Sequence, residues 1–275
     1  MFLPIGNNTT RYRTPWVTYG LITLNVLVFL RMYFQDEFQQ LMVLFEYASL
    51  AEHWSPVRAV TSGFLHGGFL HLLGNMWFLF LFGSSVEGKL GHLQMGAAYL
   101  AGLQVSDLTQ HFLAPGDFVF CIGASGAVGA IVGAYWFLFS RSEVQFFYWI
   151  FTFWVGTFWT KVHWSVLYLF GWDALMWFLQ KKYGVESGIA HGAHLGGLAC
   201  GFLIGLLLRQ FSYVTLDGDD MVTRFTVWKL RRRALASPPA DRRFGALPPD
   251  ANSPAPQPPL HKPKAPEGPS VLPLD

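Results

Sequence analysis

Apolar runs long enough to cross a membrane recur along this chain from Val17 to Leu208, and they constrain its fold more than any other feature. A transmembrane helix needs about 20 mostly apolar residues, and backbone groups inside a bilayer must bond to one another. Charged residues make up 13% of the chain, about half of the quarter that is usual in soluble domains. We therefore predict an all-α polytopic membrane protein, a bundle of six transmembrane helices. The predicted spans are 16–30, 66–82, 92–113, 118–139, 164–179 and 189–208.

The same pattern divides the chain into three segments. Residues 1–15 form a short polar N-terminus without a recognisable signal or transit peptide, residues 16–211 form the membrane domain, and residues 212–275 form a basic and then Pro-rich tail. The tail has too few large apolar residues to bury a core, so we expect it to be disordered. The aromatic segment 146–159 is expected to lie in the membrane interface, where Trp and Tyr gather; a seventh span is the alternative.

The basic residues predict an orientation. Arg13 precedes the first span, Arg141 follows the fourth and Arg209 follows the sixth. With an even number of spans these positions share one side, which the positive-inside rule makes cytoplasmic, so both termini are predicted to be cytoplasmic. Lys181 and Lys182 fall on the other side. The net charge of +2 gives no reason to expect nucleic acid as a partner, so membrane lipids are the expected surroundings.

Polar side chains inside apolar spans are costly, so each is a candidate functional residue. His71 and Asn75 lie in the second predicted span, Ser125 in the fourth and His194 in the sixth. Even-numbered spans run in the same direction, and His71, Ser125 and His194 each lie about five to seven residues from the start of a span. At 1.5 Å per residue we expect them in one layer about 10 Å below the outer surface.

These residue types suggest acyl-transfer chemistry. A serine hydroxyl becomes a useful nucleophile when a base takes its proton, and His194 can serve as that base for Ser125. His71 and Asn75 are four residues apart, so both point from one helix face and can donate to an oxyanion. Small residues recur at four-residue spacing in the fourth and sixth spans, which favours close helix packing.

Three short motifs on these spans resemble those of the rhomboid family of intramembrane serine proteases, bacterial type. They are Gly-Ala-Ser-Gly at 123–126, His-Leu-Leu-Gly-Asn at 71–75 and Ala-His-Leu-Gly-Gly at 193–197. The resemblance implies a six-helix fold whose catalytic dyad, Ser125 and His194, opens to the outside. It implies a serine endopeptidase that cuts a transmembrane helix of another protein near its outer end. It implies no cofactor and a bacterial plasma membrane as the location.

Other residues are assigned supporting roles. Arg58 matches part of the family's first-loop motif, and Glu87 is central to a segment, 83–91, that looks like the family's turn after the second span. His66 and His191 are expected to support the site by hydrogen bonding, and Gly123 and Gly126 flank the nucleophile.

Several alternatives remain open. Ser125 can be read as a small packing residue only. His66 with His71, or His191 with His194, can be read as metal ligands, but no carboxylate or Cys lies beside them on the same span, so we predict no metal. Asp107 or Asp173 can complete a triad. The rival function is a catalytically silent rhomboid-like protein that binds transmembrane clients as a chaperone or scaffold. The sequence predicts no oligomeric state.

Overall fold

The computed structural model describes residues 2–10, 13–50, 54–113, 120–150, 154–184, 187–210 and 220–236. Helices make up most of these residues. In chain order they are α1 (Trp16–Tyr33), α2 (Glu37–Tyr47), α3 (Pro56–Ser62), α4 (Phe69–Phe78), α5 (Ser84–Leu90), α6 (His92–Leu113), α7 (Ser125–Leu138), α8 (Val162–Tyr183), α9 (His191–Gln210) and α10 (Met221–Ala236).

Membrane-length apolar helices are present, as the sequence predicts. By length and composition, three of the described helical segments can cross a membrane: Trp16–Tyr33, Phe69–Leu90 and His191–Gln210. Helix Ser125–Leu138 is apolar but shorter. Each of the six predicted spans overlaps a long or apolar helix, because backbone groups without water partners are best satisfied within a helix.

The bounds of two predicted spans need correction. The helix predicted over 118–139 begins only at Ser125, because Phe120–Cys121 is a strand and Gly123 takes a left-handed φ of 115°. The helix predicted over 66–82 begins at Phe69 and continues through one π-helical turn, Leu79–Gly83, into α5. The expected turn over 83–91 is therefore helical, and the chain reverses at its last residue, Gly91, where φ is 98°.

A small three-stranded sheet corrects the all-α prediction to a mostly helical fold. Its antiparallel strands, in spatial order, are β1 (Phe2–Asn7), β4 (Glu143–Ile150) and β5 (Trp154–Lys161). Most of the segment 146–159 thus forms a hairpin rather than a seventh helix. Aromatic and β-branched residues dominate it, and these favour strands. A second, two-stranded pair joins β2 (Ser49–Leu50) to β3 (Phe120–Cys121).

The three-stranded sheet is tied to the helices by two side chains. The Trp77 indole donates to the Pro4 carbonyl at 2.7 Å, and the Asn7 amide donates to the Leu81 carbonyl at 2.9 Å. Leu81 belongs to the π-helical turn, where the regular helical bonding pattern is interrupted. Strand β4 follows the C-terminus of α7, so the sheet and Ser125 lie at opposite ends of a helix about 20 Å long.

Helices α7 and α9 pack backbone to backbone at the centre of the fold, which confirms the predicted small-residue contact. Nearly every residue of α7 is buried. A Cβ placed on Gly197 or Gly201 would overlap the carbonyl oxygen of Gly126 or Ala130, respectively. A Cβ on Gly129 would lie 3.0 Å from the carbonyl oxygen of His194. Only glycine allows this approach, and it brings the start of α7 beside the start of α9.

The chain divides into two compact units, Met1–Phe225 and Thr226–Asp275. Helix α10 crosses the boundary and lies within the tail for which the sequence predicts disorder. Residues 212–219 and 237–275 of that tail lie outside the described residues.

Candidate active site

Ser125 is the first residue of α7, and the chain turns sharply just before it. The turn depends on Gly123, whose positive φ is costly for other residues. A Cβ at this position would also lie 2.6 Å from Nε2 of His71. The Gly123 N–H donates to the Ser62 carbonyl at 3.0 Å, so the turn is held against the C-terminal end of α3. The N–H groups of the first helical turn lack intrahelical partners and favour negative charge.

The predicted layer of polar groups forms at the helix starts. His71 is the third residue of α4, Ser125 the first of α7 and His194 the fourth of α9. Each of the three residues therefore lies in the first turn of its own helix. The predicted depth of about 10 Å requires α7 to begin near residue 118. Because a strand and a turn precede Ser125, the helix starts later and that depth does not follow.

One cavity of about 550 Å³ collects the predicted catalytic residues. Ser125, His194, His71 and Asn75 line it, together with Asp173 of α8. Within the described part of the chain no hydrogen bond joins the Ser125 hydroxyl to the His194 ring. Catalytic hydrogen bonds in substrate-free enzymes are often long and tighten when substrate binds. The cavity therefore holds the predicted nucleophile, the predicted base and the candidate oxyanion donors in one space.

The amide of Asn75 is a buried donor without a hydrogen-bond partner among the described residues. Its Nδ2 atom lies 3.6 Å from a Cβ placed on Gly123, on the same side as the His71 ring. Buried polar groups are normally paired, so an orphan donor that faces a cavity suits a group that arrives with the substrate. A developing oxyanion near Ser125 is such a group.

His66 and Gly126 lie next to this arrangement. His66 is buried in the loop before α4, and its ring meets that of His71 edge to face, with centroids 5.1 Å apart. Neither ring nitrogen of His66 makes a well-formed hydrogen bond with the described residues, so its supporting role stays a prediction. Burial, and secondly the neighbouring His71, lower the pKa of His66 to about 4. At Gly126, a Cβ would overlap Ser106.

Two of the predicted supporting residues lie away from the cavity. Glu87 is fully buried and accepts hydrogen bonds from the N–H groups of Val17 and Thr18, at 2.8 and 2.7 Å, and from the Thr18 hydroxyl at 2.6 Å. It therefore caps the first turn of α1. Arg58 lies half-buried on α3 and does not line the cavity.

A carboxylate lies next to the predicted base. Oδ1 of Asp173 is 3.1 Å from Nδ1 of His194 and 2.5 Å from Nδ1 of His191. The other acidic candidate, Asp107, accepts instead from the Ser49 hydroxyl at 2.8 Å. The sequence does hold a signal for both acids, since each is the only Asp or Glu in its helix. Which of the two acids lies beside His194 depends on which helices pack together, and the sequence alone does not predict that packing.

The same three side chains are the metal-binding candidates of the described residues. Asp173, His191 and His194 each offer one ligand atom, all within 4.8 Å of one another. Carboxylate oxygen and imidazole nitrogen suit zinc and related ions. The predicted absence of a metal remains a prediction.

Membrane-length apolar helices, and a cavity that collects a few polar side chains at the helix starts, define an integral membrane protein with a candidate site inside its helical domain. The Rhomboid domain family model matches residues 53–211. This chain belongs to the rhomboid family.

Individual relatives agree with this assignment. RHOMBOID-like protein 5 of Arabidopsis thaliana is 34% identical over 172 residues, which cover 60% of this chain and 49% of the relative. Putative rhomboid protease YdcA of Bacillus subtilis is 31% identical over 56% of this chain and 67% of its own length. Rhomboid protease GlpG of Haemophilus influenzae is 27% identical over 70% of this chain and 90% of its own length. The chain thus spans about half the length of the first of these relatives and most of the last.

Proposed function

We propose that this chain is an intramembrane serine endopeptidase that cleaves transmembrane helices near their outer ends, with Ser125 as nucleophile and His194 as base. The observation that carries the proposal is the single cavity that Ser125 and His194 share with the His71 and Asn75 donors. Membership in a family with relatives named as rhomboid proteases supports the same reaction class.

The chemistry follows from the positions of these groups. As the Ser125 oxygen attacks the scissile carbonyl, its proton passes to Nε2 of His194. The carbonyl oxygen becomes an oxyanion that accepts from the Ser125 N–H, the Asn75 amide and the His71 ring. When the C–N bond breaks, His194 gives its proton to the leaving amine. Water then hydrolyses the acyl-enzyme with His194 again as base.

The proposed setting is a membrane crossed six times, by α1, by the continuous helix from α4 to α5, and by α6, α7, α8 and α9. Large apolar side chains face outward from these helices, as expected of surfaces that contact lipid; examples are Leu27, Trp172 and Leu203. Both termini would be cytoplasmic, with the three-stranded sheet at that end. A bacterial plasma membrane is the proposed location.

The test compares Ser125→Ala and His194→Ala with wild type in liposomes that contain a transmembrane reporter. Cleavage is expected to fall at least about 1,000-fold in each variant, because neither residue acts without the other. Ser165→Ala is the matched control, since Ser165 is a buried serine of α8 outside the cavity. Cleavage retained in Ser125→Ala would refute the assignment. Inactive wild type that still binds transmembrane clients would favour a catalytically silent protein.

A further inference from the structure

Asp173 places one carboxylate oxygen between two histidines of the neighbouring helix. Its Oδ1 lies within hydrogen-bond distance of Nδ1 of both His191 and His194, at 2.5 and 3.1 Å. The Asp173 side chain is 15% exposed and that of His191 is 2% exposed. An acidic residue in an apolar helix is costly and is retained mainly where it serves a function. The contact with His194 indicates what that function is.

The shared oxygen determines which ring nitrogen of each histidine carries hydrogen. An ionised carboxylate only accepts hydrogen bonds, so both Nδ1 atoms must donate to it. A neutral His194 with hydrogen on Nδ1 leaves its lone pair on Nε2, the atom that must take the serine proton. His191 is fixed at both ends, because its Nε2 lies 2.9 Å from the Ser187 hydroxyl. Asp173 is thus held by a buried histidine that cannot turn away without losing two partners.

We propose that Asp173 is a positioning residue for His194, held in place by His191, so that the proposed dyad works as a Ser125–His194–Asp173 triad. The inference rests on the proposed function. Asp173 keeps the His194 ring in the tautomer that accepts at Nε2 and opposes the positive charge that appears on the ring when the Ser125 proton arrives. The proton stays on His194 until the leaving amine takes it, and the carboxylate is not protonated at any step.

The experiment measures kcat and KM for cleavage of a transmembrane reporter by the full-length chain in liposomes. Wild type and Ser125→Ala are assayed first. An inactive wild type, or an active Ser125→Ala, would overturn the proposed function. Because these two proteins are assayed before Asp173 is changed, that failure is distinguished from a failure of the inference about Asp173. Asp173→Ala is then expected to lower kcat by about 10- to 100-fold, with KM within about twofold, because the base loses its orientation but the substrate-binding surface remains.

Two further arms separate positioning from a structural role. Asp173→Asn keeps the volume and removes the charge, so it is expected to fold like wild type and still lose kcat. Asp107→Asn is the matched control, a half-buried acid bonded to Ser49 outside the cavity, and should keep wild-type kcat. Sodium formate is expected to restore part of the activity of Asp173→Ala by supplying a small carboxylate, whereas neutral formamide should not.

Some results would overturn the inference. They are a kcat of Asp173→Asn within about twofold of an active wild type, or equal rescue of Asp173→Ala by formate and formamide. Loss of wild-type activity in EDTA with recovery in Zn²⁺ would also overturn it, because the three side chains would then act as metal ligands.

Discussion

Replacing Gly201 by alanine tests the packing of α7 against α9, on which the position of the site depends. A Cβ on Gly201 would overlap the carbonyl group of Ala130 and lie 2.7 Å from its Cα. All of these atoms belong to the backbone, so no side chain can rotate to make room. The two helices would have to separate, and Ser125 would move away from His194.

The expected loss of stability follows from two opposing effects. Alanine has a higher helix propensity than glycine, which is worth about 1 kcal/mol. Overpacking costs about 1–3 kcal/mol where neighbours can adjust, and a backbone contact belongs at the upper end, about 3 kcal/mol. The net loss is about 2 kcal/mol, which corresponds to a melting temperature lower by about 4–8 °C for a domain of this size.

Thermal melting in detergent, followed by intrinsic fluorescence, measures this effect. Gly20→Ala is the matched control, because Gly20 lies inside helix α1 with no atom within 4 Å of the added Cβ. It should melt at or above the wild-type temperature. Reporter cleavage well below the melting temperature should fall in Gly201→Ala only. Equal melting temperatures for Gly201→Ala and wild type would refute the proposed backbone contact.

Three further predictions concern separate parts of the fold. Asn75→Ala should lower kcat by about 100- to 1,000-fold and leave KM nearly unchanged, because the amide acts on the oxyanion; a change in KM alone would contradict this. Glu87→Gln should lower the free energy of unfolding by about 1–3 kcal/mol, since its amide cannot accept all the bonds that cap α1, while cleavage at low temperature should persist. Burial opposes ionisation of Asp220, but hydrogen bonds from Thr223 and Arg209 outweigh it and hold the pKa of Asp220 below its usual value. The stability that Asp220 adds is therefore present above about pH 4 and lost as pH falls through its folded pKa, so the melting temperatures of wild type and Asp220→Asn should converge below pH 4.

The sequence predicts the helices of this fold better than their ends. Apolar runs and glycine spacing were enough to predict a helical membrane protein and the α7–α9 contact. The apolar run predicts too early a start for α7, because the residues before Ser125 are apolar whether they form a helix or a strand. Only the pairing of β3 with β2 and the left-handed Gly123 show that the helix begins at the serine.

Contacts between distant segments account for the other differences. Strand β1 comes from the polar N-terminus and pairs with β4, more than 130 residues away in the sequence. A local sequence pattern does not predict a strand pairing over that distance. Asp173 and Asp107 were equal candidates on sequence, since each is an acid within an apolar run. The packing of α8 beside α9 brings Asp173 to His194 and leaves Asp107 with Ser49.

The most direct test of Ser125 as an activated nucleophile is covalent labelling of the full-length chain by a fluorophosphonate, followed by digestion and tandem mass spectrometry. The probe reacts only with a serine whose proton a nearby base removes. The prediction is a single adduct on Ser125 that is lost in His194→Ala and preserved in Ser165→Ala. Labelling of Ser125 that is equally fast without His194, or no adduct on Ser125 in a protein that cleaves the reporter, would contradict the account.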